Sequence, residues 1–246
     1  AQAAYRKFLP GSPTPIQIGE IPKTDFPAEE EPQETPWTRE LVLEQVRKGF
    51  DFAEQNLSGL DLSGLNLSGA KFGSCKLTRA KLMKAKLIEA NLSKANLREA
   101  DGTEADLSKA NLDEADAKKA IFARAKLINT SLAHTDFEGA DLQQADLTEA
   151  VGRQCCFSKT NLKSARLHRA KFPAGDFTES NLPNADFQGA DVSGGRFAQA
   201  KAPGIVFLDA NISKLHASEG PDFTGGVFVR AQAAESTWET AILDRA

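Results

Sequence analysis

The sequence predicts a solenoid, a chain that turns a corner every five residues and stacks its turns into a rod. Three observations predict it. A large apolar residue recurs at every fifth position from Phe52 to Ala217, 34 times in one phase, and 27 of these centres are Leu or Phe. The residue two before each centre is small: 20 are Ala and 8 more are Thr, Ser, Cys or Gly. Charges four units apart alternate in sign.

A period of five matches neither the 3.6 of a helix nor the 2 of a strand. On an α-helix the centres would step around the whole surface and leave no sealed core. A chain that corners every five residues points two of them inward, the small one and the large one, and leaves three in water. One such turn buries too little to be stable, but stacked turns bury one another.

The runs NLSGLDLSGLNLSGA from Asn56 and AKLMKAKLIEANLSKANLREA from Ala80 show the pattern at its plainest. They resemble the pentapeptide-repeat family, and the resemblance covers residues 50–246. It implies an all-β fold, a right-handed quadrilateral β-helix in which four units make one coil.

Charges test the coil length. Positions four units apart would stand directly over one another at about 4.8 Å, where opposite charges are favoured. Immediately before the centre, one side of the rod reads Lys86, Asp106, Lys126, Asp146, Arg166, Asp186. Two after the centre come Arg79, Glu99, Lys119 and also Lys84, Glu104, Arg124. Glu89 stands with Lys109, Lys94 with Glu114, and Glu149 with Arg169. Each exposed pair contributes only about 0–1 kcal/mol, so the ladders set register and leave little net field.

The same arithmetic gives the interior columns. One reads Leu67, Leu87, Leu107, Leu127, Leu147, Leu167, and another Phe137, Phe157, Phe177, Phe197. The excess of Phe, 15 against 2 Trp and 1 Tyr, is then core filling. Gly102 and Gly152 stand where large residues are usual and predict cavities, bulges or local deviations. After Ala217 the phase shifts by one, to Phe223, Phe228, Ala233, Trp238 and Leu243, which predicts a bulge or loop over residues 218–222. The total of 39 units makes just under ten coils and a rod of roughly 45 Å.

Residues 1–34 are rich in Pro and acid and read as an extended tether. Residues 35–49 read as a capping helix, with Thr35 as N-cap and Pro36 in the first turn. Its apolar residues Trp37, Leu41, Val42 and Val46 would cover the first coil, since solenoid ends need caps. Leu60 and Leu65, large where Ala is usual, would widen that coil to meet them. The C-terminal end carries no amphipathic helix, and the assembly reads as a monomer or an end-to-end dimer.

Chemistry is absent from the pattern. No Gly-rich phosphate loop, nucleophile elbow or paired catalytic motif appears, and no catalytic residue, cofactor or metal site is assigned. Cys75 and Cys155 point inward four coils apart, about 19 Å, too far for a disulfide; Cys156 points outward. Three unpaired thiols fit a reducing compartment and a cytoplasmic location. His134, His168 and His216 fall on different coils or sides. Lys71, Lys76, Lys81 and Lys86 girdle one coil, each with Asp or Asn one coil away. The formal net charge of -4 fits neither a basic nucleic-acid binder nor a strongly acidic mimic of nucleic acid. No apolar run is long enough to span a membrane, and AQAAYRKFLPGSP lacks the apolar core of a secretory signal.

These readings converge on a non-catalytic protein-interaction or scaffold module. A chain that opens without Met reads as a processed product or the C-terminal part of a larger bacterial protein. The stretch WTRELVLEQVRKGFDFAEQNLSGLDLSGLNLSGA resembles the start of the repeats in type VI secretion accessory proteins, which implies a secreted effector or secretion component as partner. Other family members mimic duplex DNA and inhibit or protect a type II topoisomerase; the alternating ladders interrupt the continuous acidic surface this alternative needs.

Overall fold

A regular five-residue unit with Asp or Asn before its centre places all five of its backbone N–H groups. In Ala105–Lys109 the N–H of the centre, Leu107, donates forward to Lys126 O at 2.8 Å, and that of Lys109 to Ile128 O at 2.8 Å. The N–H of Asp106 donates backward to Ala85 O at 2.9 Å. The N–H of Ala105 closes the preceding corner on Gly102 O at 2.9 Å. The fifth, on Ser108, is held by the Asp106 carboxylate at 3.1 Å. Buried or half-buried backbone donors left without partners would each cost free energy comparable to a lost hydrogen bond. The four ladder and corner bonds recur through the repeats, and an Asp or Asn before the centre adds the fifth.

A computed structural model describes residues 37–246, and the pattern just given runs through it from Asp51 onward. Parallel pairing joins each position to the one four units on, from Asp51 with Lys71 to Arg196 with His216. Four units thus close one square turn of a quadrilateral β-helix. A side-chain oxygen accepts in this way on all four sides: Asp51 from Ala53 N, Asn56 from Ser58 N, Asp61 from Ser63 N and Asn66 from Ser68 N. Asp and Asn precede the centre because they supply the acceptor that the ladder leaves out, an Asx turn. Pro173, Pro183 and Pro203 all occupy the same first corner position, where the N–H takes no part in the ladder. Two of them follow Lys171 and Lys201, side chains that cannot accept.

The second corner residue is left-handed at every turn. Lys109 has φ 60°, Glu114 60° and Ala174 55°. A left-handed residue other than Gly costs about 1–2 kcal/mol, so many corners hold the chain against its own preference. Replacing Ala174, which has no side-chain partner to lose, with Gly is expected to raise stability by about 1 kcal/mol. A thermal melt of the single variant measures it; an unchanged or lower melting temperature would count against the corner geometry.

The interior is filled by two rows per side. Leu67, Leu87, Leu107, Leu127, Leu147 and Leu167 are fully buried, as are Phe137, Phe157, Phe177 and Phe197. The four Phe rings stack, with centroids 5.5, 5.0 and 4.7 Å apart and nearly parallel planes. Thr130, Thr135, Thr160 and Ser180 take the place of Ala inside, and each hydroxyl donates to a carbonyl, as Thr135 does to Leu112 O at 2.8 Å. Gly102 is no cavity: a Cβ there would lie 2.5 Å from the Phe122 ring, so the aromatic ring fills the space its neighbour vacates. At Gly152 the limit is backbone, with Leu132 O only 2.8 Å from the would-be Cβ.

The pairing distance changes from 20 to 21 between Arg196–His216 and Lys201–Asp222. One residue is accommodated in the 217–222 stretch, and the coils beyond it resume the same order. At the other end, α1 (Arg39–Arg47) is the one helix among the described residues. It is shorter than residues 35–49 and its N-cap is Thr38, whose hydroxyl accepts from Leu41 N at 3.2 Å; Thr35, Pro36 and the tether lie outside the described residues. Glu40 in the first turn and Arg47 in the last suit the helix dipole.

Candidate functional site

The two ends and the flanks are what the rod offers to other molecules. At the N-terminal end, Val42 is fully buried and Trp37, Leu43 and Val46 pack beside it on the core. Leu41 is only partly covered and Leu43 takes the place assigned to it. Positions 39, 42, 43 and 46 share one helical face, whereas 41 lies about 140–160° from 39, 43 and 46. Trp37 stacks obliquely on Phe50 and Phe52, at 5.7 and 5.3 Å, and its indole N–H donates to Gln55 Oε1 at 3.1 Å.

Arg39 completes the cap. Its guanidinium donates to Asp61 O at 3.2 Å and Ser63 O at 2.6 Å. In every later coil these two carbonyl positions accept from the N–H groups of the coil before. One side chain therefore stands in for the missing coil along one side of the square. Arg39→Ala is expected to cost about 1–2 kcal/mol and to speed amide exchange in residues 57–72 while leaving the far coils unchanged. Uniform exchange along the rod would refute the local role.

Along the flanks, the ladder residues meet in part. Lys126 Nζ is 3.9 Å from Asp106 and Arg166 Nη1 3.2 Å from Asp146. Asp186 is engaged instead by His168 Nε2 at 2.6 Å, and Lys86 pairs through its backbone with Asn66 and Asp106 without a short ion pair. The corners are better matched: Arg79–Glu99 at 2.8 Å, Lys84–Glu104 at 3.7 Å, Arg124–Glu104 at 2.9 Å, Lys109–Glu89 at 3.3 Å, Lys94–Glu114 at 3.6 Å and Arg169–Glu149 at 3.7 Å. Lys118 adds a fork between Glu138 at 2.9 Å and Asp136 at 3.0 Å.

Hydrogen bonds from Arg79, Arg124, Lys118 and Arg230 hold the carboxyls of Glu99, Glu104, Glu138 and Asp209 below their ordinary values. A depressed folded-state pKa contributes stability above the ordinary value, and this is lost as pH falls through the depressed one. The melting temperature is expected to be level from about pH 7 to 5 and to fall below about pH 4, less steeply in high salt. A flat profile to about pH 3 would show that the ladders carry no net stability.

At the C-terminal end, Phe228, Ala231, Ala233, Trp238, Leu243 and Ile212 line an open concavity of about 480 Å³. Phe228 and Trp238 meet edge to face at 5.7 Å. Beyond the core, Val227, Val229, Ile242 and Leu243 are exposed, between 39% and 53%.

The five-residue repeat with its square coil has a counterpart among protein families. A family model described as pentapeptide repeats matches in 8 copies, over residues 49–82, 80–116, 120–158, 130–169 and 160–199. The chain belongs to the pentapeptide-repeat family. Its fold is the family's right-handed quadrilateral β-helix, with one α-helix set before the repeats.

Among solved pentapeptide-repeat proteins, it is similar to HetL, involved in heterocyst differentiation regulation in the cyanobacterium Nostoc sp. strain PCC 7120. Identity is 24% over 80% of this chain and 95% of that one, with a TM-score of 0.38. It is similar also to a trypsin-treated QnrB1, a plasmid-mediated fluoroquinolone resistance protein, at 16% identity over 75% and 90%, TM-score 0.46. A pentapeptide-repeat protein from the Arabidopsis thaliana thylakoid lumen shares 26% over 44% and 69%, TM-score 0.25. No curated protein matches the chain.

The pentapeptide-repeat geometry also disposes of the scattered reactive side chains. Cys75 and Cys155 are buried and Cys156 is half-buried, all free. Burial pushes the Cys75 thiol up to about 12 and raises those of Cys155 and Cys156, so none is poised as a nucleophile. Among the described residues no three His, Cys, Asp or Glu side chains converge on a metal position. His134 is a corner residue, His168 is held by Asp186 and His216 pairs through its backbone with Arg196. Lys71, Lys76, Lys81 and Lys86 are exposed, one on each side of a single coil, and a compact ligand touches one or two at most. No helix of the described residues is long and apolar enough to cross a membrane.

Proposed function

We propose that this pentapeptide-repeat rod is a non-catalytic protein-binding scaffold of about ten coils, acting in the bacterial cytoplasm as part of a larger assembly. One observation carries the reading: the polar residues that recur most densely already have structural partners. Asp and Asn before the centres hold corner N–H groups, and corner Arg, Lys and Glu pair with one another across coils. The core is filled with apolar side chains, which supports a role without catalysis. What stays available is surface and ends, the property of a docking module. Three free thiols support a reducing compartment. The type VI secretion resemblance rests on one short stretch, and the proposal does not depend on it.

The competing reading, a DNA-like inhibitor or protector of a type II topoisomerase, needs a continuous acidic side. The side with the most Asp before its centres, Asp61, Asp101, Asp141 and Asp222, is interrupted by Lys81 and Lys201, and on another side Arg98, Lys118 and Arg196 pair with Asp116, Asp136 and Asp176. A gyrase supercoiling assay separates the two. The scaffold reading expects no inhibition at equimolar chain and saturable retention of a protein partner on the immobilised chain. Stoichiometric inhibition of supercoiling would replace it with the DNA-mimic reading.

A further inference from the structure

Charge in the middle of the rod is sorted by coil. Residues 131–150 carry five Asp and Glu and no Lys or Arg, and residues 151–170 carry five Lys and Arg and no Asp or Glu. A second copy laid antiparallel, on a two-fold axis that crosses the rod between these coils, sets each against its opposite. In such a pairing the coil order reverses, while residues before the centres stay opposite residues before the centres and corners stay opposite corners.

One side of the square fits this axis best, the side that reads Lys86, Asp106, Lys126, Asp146, Arg166, Asp186. Asp146 then meets Arg166 of the second copy, and Lys126 meets Asp186. At the adjoining corner Glu149 meets Arg169 and Lys109 meets Asp209. No like charges oppose each other on this side. Sliding the copy by one coil sets Asp106 or Asp146 against Asp186, and sliding by two sets Lys109 against Arg169 or Glu149 against Asp209. On two other sides the same axis brings Asp116 to Asp176 or Glu54 to Glu235, and on the fourth it has only Asp141 and Asn161 beside it. Shape agrees with charge. The favoured side carries the partly exposed Ile88, Ile128, Val206 and Leu208. Gly189, without a side chain, opens a concavity of about 410 Å³ beside Thr148, His168 and Gln188. Ile128 and Asn129 of the second copy lie opposite Gln188 and Gly189, so a projecting corner meets a hollow one.

We propose that the chain associates with a second copy of itself, side by side and antiparallel, through this side. The eight coils from Lys86 to Val227 overlap. At about 4.8 Å per coil and about 16 Å around the five residues of a side, roughly 600 Å² per copy is covered. That lies at the lower end of specific interfaces, so the dimer is weak and sensitive to salt. The cross-coil pairs Arg166–Asp146 and Arg169–Glu149 stay in place and join those of the second copy in rings of alternating sign. The inference goes beyond the scaffold reading and stands apart from it, since the partner is the chain itself.

The test is sedimentation of the intact chain at about 50 mM and about 500 mM salt, where a monomer–dimer equilibrium is expected to weaken about tenfold or more. Arg169→Glu and Glu149→Arg change exposed corners, and their circular dichroism is expected to match the parent. Each should weaken association about tenfold or more, because each sets like charges against each other twice across the axis. Mixed one to one, the two variants should pair again, since each supplies the sign the other lacks. Arg79→Glu breaks a similar cross-coil pair at another corner and should leave association unchanged. A chain that stays monomeric at about 1 mM, a mixture that does not pair, or an equal loss in Arg79→Glu would overturn the proposal. A dimer untouched by Arg169→Glu would place the contact elsewhere, at an end of the rod for instance, and would overturn it too.

Discussion

Leu107→Lys is expected to destroy cooperative folding of the middle of the rod. Leu107 is fully buried in a column between Leu87 and Leu127, both fully buried too. The column around it is apolar, so an ammonium would be desolvated without a partner or would drag its coil open. Either route costs about 4–5 kcal/mol or more. In a stacked array each coil is held by its neighbours alone, so the damage splits the rod into two shorter pieces. Circular dichroism should show a lowered or two-step melt, while Leu107→Met should cost less than about 1.5 kcal/mol. A Leu107→Lys melt matching the parent would show that this residue does not face inward.

Gly102→Leu is the second large effect, and its partner is already named by geometry. The Phe122 ring lies in the space of the missing side chain, so any Cβ forces the ring or the coil to move. Overpacking of this kind costs about 1–3 kcal/mol. Phe122→Leu alone leaves a void and also destabilises. Together the two changes rebuild an unbroken leucine column from Leu82 to Leu142. The double variant is expected to recover most of the loss, a coupling of about 1–3 kcal/mol. Additive losses would mean that Gly102 is required for its backbone rather than for space.

Much of this is legible in the sequence because the interior is one-dimensional. A fixed phase of five names inward residues directly, and a shift of phase at Ala217 marks a place where pairing moves from 20 to 21. In sequence, the Asp and Asn before the centres read only as ladder charges. Their bond to the N–H two residues on is a property of the corner, although the recurrence of Asn beside Asp is a signal for it, since Asn carries no charge. Gly102 is opaque because a gap in one coil is filled from the next, and the filler, Phe122, lies four units away. Arg39 gives no signal because its partners are carbonyls, which sequence does not distinguish. Leu43 is within reach of a strict 3.6 count. The exposed end at Phe228, Trp238 and Leu243 depends on what has no neighbour, and periodicity is silent about that.

Pairing only between adjacent coils, along the whole rod, also bears on how the molecule is made. Among the described residues, none of the coil pairings waits for a partner from the opposite end of the rod. Each new coil finds its template in the one synthesised just before it, so loop closure costs the same small entropy at every step. Folding can therefore keep pace with the ribosome. The Arg39 cap is complete once Ser63 has emerged, and every later coil is laid on a finished surface.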